Sequence, residues 1–304
     1  MTERKGKNQA IQPERERGDG RGSQGVVPLG DAVSPRARLA PPAAAASAFP
    51  GATGVTMLDV YDWAGPDGLR GGSAHVHLAS TEGYVIAGGR GRLQTLGEHG
   101  YAEVPLVPGD CLWFTPGTIH RLINDGELRI LVVMQNAGLP EAGDCVLTFP
   151  PRVLADSVKY AIAATLPLPS GPSALPGTGR RGAAGAADDA IEAAARRRRD
   201  LAIKGFLALR EQVAMDGPTA LEGFFAAALR LVAGRVPGWR DRWRADASAV
   251  AGLTGQYLDS IEAMRPGHLM TGSLWRIAKP ATAPRYGMCG RLTAYDAAQA
   301  SVIG

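Results

Sequence analysis

Residues 73–89 read SAHVHLASTEGYVIAGG, and residues 109–124 read GDCLWFTPGTIHRLIN. In the first stretch His75 and His77 are two apart, so on a strand both imidazoles point to one face. Four residues then separate His77 from Glu82, enough for a tight turn into a neighbouring strand. In the second stretch Thr115-Pro116-Gly117 breaks one β-prone run from the next, which places His120 on a further strand. Three of the five histidines of the chain fall in these two stretches.

The surroundings have the same β character. Short β-prone runs recur at Val55–Tyr61, Ala74–Leu78, Gly83–Ile86, Gly91–Leu96, Ala102–Leu106, Cys111–Phe114, His120–Ile123, Arg129–Gln135 and Cys145–Phe149. Between them lie Gly65-Pro66-Asp67-Gly68, Gly88-Gly89, Gly97 to Gly100, Pro108-Gly109-Asp110 and Asn124-Asp125-Gly126. Many short strands joined by such residues predict an antiparallel sandwich or barrel over residues 51–150.

The two stretches together resemble the cupin superfamily, in its single-domain, type 2 form. Its first motif is G-x5-H-x-H-x3,4-E-x6-G and its second is G-x5-P-x-G-x2-H-x3-N. Here the first is carried by His75, His77, Glu82 and Gly89, the second by Gly109, Gly117, His120 and Asn124. Two positions depart from the pattern. Gly68, the nearest leading glycine, stands one residue too far from His75, and Thr115 occupies the proline position with Pro116 just after it. Both departures fall in turns.

The resemblance implies a mainly β fold, a double-stranded β-helix (jelly-roll) barrel. It also implies one divalent transition metal (Fe, Mn, Ni, Co, Cu or Zn) held by His75, His77, Glu82 and His120. Imidazole suits all of these ions, and a single carboxylate lowers the charge of the site. Three histidines and one glutamate leave two positions of an octahedral ion for ligands. The function implied first is a mononuclear non-haem oxidoreductase, dioxygenase-like, acting on a small oxygenated substrate. The alternatives are a ligand-sensing or ligand-binding protein without turnover, and a metal-dependent sugar isomerase or epimerase. The last needs a second titratable group to move a proton, and none beyond Glu82 is evident. No catalytic residue other than the ligands is named by the sequence.

Strand alternation puts Tyr84 on the face of Glu82, where its hydroxyl can donate to a ligand. Gln94, Trp113 and Gln135 are further candidates for the substrate pocket, although packing or a place on the rim explains each better. Arg121 adjoins His120 and so faces the other way, and Asn124 reads as turn chemistry.

The rest of the chain differs in character. Residues 1–50 mix charge, glycine and an Ala/Pro run and predict disorder. Residues 151–165 predict a helix with Leu154, Val158 and Ile162 on one face, and residues 166–187 predict a Pro/Gly/Ala-rich linker. Residues 188–304 predict a separate α-helical segment with an irregular tail. Its helices run from Asp188 to about Met215, along the stripe Leu221, Phe224, Phe225, Ala228, Leu229 and Val232, and over Ala247 to Met264. Breaks fall at Gly217-Pro218 and Pro237-Gly238.

Charge is uneven. Lys and Arg outnumber Asp and Glu by eight to five in residues 1–50 and by twenty to thirteen in 151–304. In residues 51–150 there are five against eleven. An acidic middle segment suits a cation and argues against a nucleic-acid surface. The run Arg196 to Arg199, next to Glu192 and Asp200, reads as a solvated helix face. His99 reads as a turn residue, His268 has no evident partner, and Trp239 and Trp243 read as a helix-packing pair. Cys111 and Cys145 read as small core residues. Three widely spaced cysteines, no charge-flanked apolar leader and no apolar run of about 18 residues predict a cytoplasmic protein without membrane spans. The expected partner is a small molecule, with a homodimer as a further possibility.

Overall fold

Two strands of sixteen residues organise the molecule, β3 (Glu82–Gly97) and β6 (Ile119–Met134), paired antiparallel over nearly their whole length. The computed structural model describes residues 48–136, 138–167, 181–280 and 284–303. The expected disorder of residues 1–50 therefore lies almost wholly outside the described residues, as does most of the expected linker. Around the central pair stand β1 (Gly54–Val60), β2 (His75–His77), β4 (Gly100–Leu106), β5 (Cys111–Phe114) and β7 (Cys145–Leu147). Later come β8 (Leu274–Arg276), β9 (Arg285–Tyr286), β10 (Gly290–Tyr295) and β11 (Ser301–Ile303).

The main sheet has nine antiparallel strands. Its order is β4-β3-β6-β1-β10-β9, with β2 bridging β6 and β7 and β5 flanking β3. Gly88-Gly89 and Asn124-Asp125-Gly126 were expected to end strands, and they do not. They lie opposite one another where the β3–β6 register shifts, so both strands bend together and continue. Gly89 has φ +71°, and a Cβ there would meet the Glu127 carbonyl at 2.1 Å. Asn124 holds the corner, donating to the Val60 carbonyl and accepting from the amides of Gly126 and Leu128.

Bending gives the sheet an inside and an outside. Leu58, Val60, Tyr84, Ile86, Leu93, Leu122, Leu128, Ile130 and Val132 fill the interior. Val76, Leu96, Ile119, Val146 and Phe149 belong to a second core, shared with the helices that follow.

Those helices are α1 (Pro151–Leu154), α2 (Ser157–Ala164), α3 (Arg181–Asp216), α4 (Glu222–Val232), α5 (Val236–Trp243) and α6 (Ala249–Glu262). Asp156 caps α2, accepting from the amides of Val158 and Lys159. The predicted stripe there is corrected: Leu154 is buried but Val158 and Ile162 are exposed, and Tyr160 packs inward instead. In α4, Phe224, Ala228 and Val232 are buried and Leu229 is exposed. Pro237 stands in the first turn of α5, where its missing N–H costs nothing, rather than ending a helix. Trp239 is buried and Trp243 exposed.

The helical segment packs on the barrel, and its tail carries the short strands β8 to β11 between turns and loops. α3 packs so closely on the barrel that a Cβ on Gly205 would lie 1.8 Å from the Thr148 carbonyl oxygen. The Thr148 hydroxyl lies 2.8 Å from the Ala202 carbonyl. Of the run Arg196 to Arg199, read as a solvated face, Arg197 is exposed, but Arg198 and Arg199 form a clamp. Buried Arg199 donates to the carbonyls of Trp63 and Ala64, and buried Arg198 to those of Gly287 and Ala164. Arg196 lies 4.1 Å over the Trp63 ring. The tail then returns to the barrel, where β10 pairs with β1 over six residues. No helix among the described residues is long and apolar enough to cross a membrane.

Candidate metal centre

His75 and His120 are directly opposed on β2 and β6, and His77 follows on the same face of β2. Glu82 opens β3, with Met134 and Phe114 as its partners on the adjacent strands. The Thr115-Pro116-Gly117 turn sets this register: Gly117 has φ +90°, and its amide donates to the His77 carbonyl.

The four side chains are all buried, each offering a donor atom within 4.8 Å of the others. One carboxylate oxygen of Glu82 lies 3.1 Å from Nε2 of His120 and 3.3 Å from Nε2 of His77. That oxygen and the His120 nitrogen make no hydrogen bond of proper geometry. Converging, buried and unpaired donors are costly unless something satisfies them. Separations near 3 Å are also those of adjacent ligands on an ion with bonds of about 2.1 Å. The residues present thus fit a divalent transition metal, and the group could hold one.

Burial and the two carboxylates set the charge of the group. Burial and the neighbouring His120 and His77 keep His75 well below the ordinary imidazole range, hence neutral. Burial would also lower His77, but the carboxylates of Asp144 and Glu82 outweigh it and raise the ring to about 9. Burial would raise Glu82, yet the close approach and charge of His120 and His77 hold it well below the usual carboxylate range. The centre therefore carries an ionised carboxylate in a dry setting. The Nδ1 atoms of His75 and His120 lie 3.1 Å from the carbonyls of Ser73 and Thr118, which turns each Nε2 toward the centre.

The pocket candidates separate. Tyr84 is fully buried beside Glu82, with no hydrogen-bond partner for its hydroxyl among the described residues. Burial, with the Glu82 charge next, pushes its phenol well up, so it remains a donor. The other three are corrected. Gln94 lies on the outer face of the bend, because the bulges shift the parity of β3, and it donates to Glu103. Trp113 pairs with Gly83, faces outward and is 71% exposed. Gln135 sits exposed beyond the end of β6, its side chain near the Thr81 amide. Arg121 faces away from the centre as expected, but into the protein, where it donates to Asp67.

Two residues were not foreseen. Phe114 lies 4.2 Å from the His120 ring and edge-on to Tyr84, closing the centre on one side. Its pairing with Glu82 follows only from the β3–β5 register. Asp144, 67 residues from His77 and outside any motif spacing, is fully buried with a carboxylate oxygen 3.4 Å from Nδ1 of His77. Of the weaker candidates, His99 is exposed in the β3–β4 turn, and His268 stacks on Tyr257. Cys111 is exposed rather than a core residue, Cys145 is partly buried, and Cys289 is buried 4.0 Å from Nδ1 of His75.

Comparison with known protein families agrees with this architecture. Residues 66–134 match the family model of the cupin domain, and the span contains all of His75, His77, Glu82 and His120. The chain carries a cupin domain followed by a C-terminal helical region. No curated protein matches it. Among solved structures, it is similar to a conserved double-stranded β-helix protein of Klebsiella pneumoniae (19% identity, TM-score 0.22). That match covers 27% of this chain and 64% of the other. A predicted oxalate decarboxylase of Thermotoga maritima matches at 24% identity, TM-score 0.21, over 27% and 64% of the two chains. A cupin protein of Bacteroides fragilis matches at 24% identity, TM-score 0.21, over 28% and 65%. The chain thus spans somewhat less than two thirds of each of these relatives.

Proposed function

We propose that His75, His77, Glu82 and His120 bind one divalent transition metal, and that the loaded centre is a mononuclear non-haem oxidoreductase of dioxygenase type acting on a small oxygenated substrate. The observation that carries the reading is the convergence of four buried donors, two of them left without hydrogen bonds. When bound, a redox-active ion supplies electron transfer between a chelating substrate and dioxygen. The chain's own groups supply the rest. Glu82 offsets cationic charge within the barrel, and the strand carbonyls behind His75 and His120 fix their rings. Tyr84, kept protonated, offers a hydrogen bond to a substrate oxygen beside Glu82. Phe114 presents an apolar wall that excludes water from one side.

The test is anaerobic reconstitution of the full chain with ferrous iron, followed by oxygen uptake across a panel of keto acids, diketones and phenols. Substrate-dependent uptake that disappears in His77→Ala is the expected result. Tight ligand binding without turnover would replace this reading by the ligand-binding one. Oxygen-independent sugar interconversion with Mn or Zn would replace it by an isomerase.

A further inference from the structure

The three imidazoles of the centre are not held alike. His75 and His120 lean on carbonyls two residues back, just ahead of their strands. Such contacts are local. His77 faces instead a carboxylate that comes from a distant part of the chain.

That carboxylate has a set position. The Oδ1 atom of Asp144 accepts from the amides of Leu78 at 2.9 Å and Ala79 at 2.7 Å, and Oδ2 accepts from Ser80 at 3.1 Å. The three amides belong to the connection between His77 and Glu82, so one side chain braces the turn that separates two ligands. A buried carboxylate with three amide donors is partly compensated. The same Oδ2 lies 3.4 Å from Nδ1 of His77, the nearest acidic oxygen to a nitrogen that makes no hydrogen bond of good geometry among the described residues.

The helices determine where Asp144 sits. It ends the short helical turn Pro140–Asp144, which lies against α5. Trp239 donates its indole N–H to the Ala142 carbonyl at 3.1 Å, and Arg235 approaches the Gly143 carbonyl at 3.3 Å. Leu139 shares its core with Trp239, Leu221 and Phe224. Gly143, with φ +90°, turns the chain back toward the barrel just before Asp144.

From this geometry we infer that Asp144 is a positioning residue for His77, placed by the C-terminal helices, and that it fixes the ring with its proton on Nδ1 and its Nε2 lone pair toward the metal. The inference rests on the metal reading above and deepens it. A carboxylate behind a ligating imidazole orients the ring and strengthens its donation. Together with Glu82 it also supplies two negative charges to the centre, matching a divalent ion.

The experiment compares the full-length protein with Asp144→Asn, using Zn(II) as the probe. Asparagine keeps the size and one acceptor for the turn amides, but its NH2 cannot accept from Nδ1. Zn(II) affinity, read by competition with a chromophoric chelator, is expected to fall by about 10- to 100-fold. Long-range nitrogen–proton NMR on the Zn(II)-loaded, histidine-labelled protein is expected to show His77 with its proton on Nδ1, and to show that form lost in the variant. The tautomer readout on the Zn(II)-loaded unsubstituted protein stands even if Asp144→Asn fails to fold. An Nε2-protonated His77 there would overturn the proposal. So would unchanged Zn(II) affinity in a folded Asp144→Asn whose parent binds the ion. If the parent takes up no Zn(II) at all, the metal reading fails, and the inference fails with it.

Discussion

Two parts of the C-terminal region stand in contrast. From Ala202 to Trp239 the helices bury Ala202, Phe206, Val213, Phe224, Ala228, Val232 and Trp239 in a core shared with the outer face of the barrel. From Arg240 to Pro280 no residue is buried, although α6 and the strand β8 lie in this stretch. Leu258, Ile261, Met264 and Leu274 are all more than half exposed. Helical content alone therefore says little about role. The first part backs the strands that carry the candidate ligands and abuts the turn that carries Asp144. The second is a peripheral excursion, after which the chain returns to the barrel as β9 and β10.

The contrast is sharpest at two glycines inside helices. At Gly205 any Cβ collides with the Thr148 backbone, whereas at Gly255 in α6 nothing lies within 4 Å. Replacing glycine by alanine within a helix ordinarily stabilises by up to about 1 kcal/mol. Gly205→Ala is expected to reverse that sign and destabilise by about 3 kcal/mol, since helix and sheet must move apart. Gly255→Ala is expected to stabilise slightly. Urea unfolding of both variants checks this, and the same sign at both sites would break the comparison.

Arg199 tests the clamp itself. Arg199→Met keeps the length of the side chain but leaves the carbonyls of Trp63 and Ala64 without their donor. A loss of about 2 kcal/mol is expected, read in the same unfolding assay. The equivalent change at Arg244, whose exposed side chain pairs with Asp241, should be near neutral.

The smallest effect concerns acid. Burial would raise the Asp67 carboxyl, but the hydrogen bond and charge of Arg121 hold it below the ordinary carboxylate range. A group lowered on folding stabilises the protein above its unfolded value, and that contribution fades as pH falls through the folded value. Stability of the parent should therefore decline more steeply below about pH 4 than that of Asp67→Asn, by denaturant titration at several pH values. Parallel profiles would show that the pair contributes nothing to acid sensitivity.

What the sequence disclosed was decided by local chemistry. The period of two in His75-Val76-His77 and the turn before His120 placed three imidazoles on one side of a barrel, and both rules act over a few residues. The bulges have no signature of their own, because Gly88-Gly89 and Asn124-Asp125-Gly126 have the composition of turns. Only their mutual pairing shows that the chain continues. Gln94 and Trp113 were misplaced in consequence, one through the shifted parity and the other through facing out from β5. Arg198 and Arg199 had acidic neighbours within a turn of helix, and the Arg196–Glu192 pair does form, at 2.7 Å. Burial of the other two depends on backbone carbonyls far away in sequence. The pairing of β10 with β1 and the approach of Asp144 to His77 are likewise contacts between distant segments with no local signature.

The central claim is that four buried side chains form one cation site. Elemental analysis of protein purified without added metal, and again after loading, tests it directly against His120→Ala. One ion per chain in the parent and almost none in the variant is the expected result. Equal metal content in both would show that the ion, wherever it binds, does not depend on this cluster.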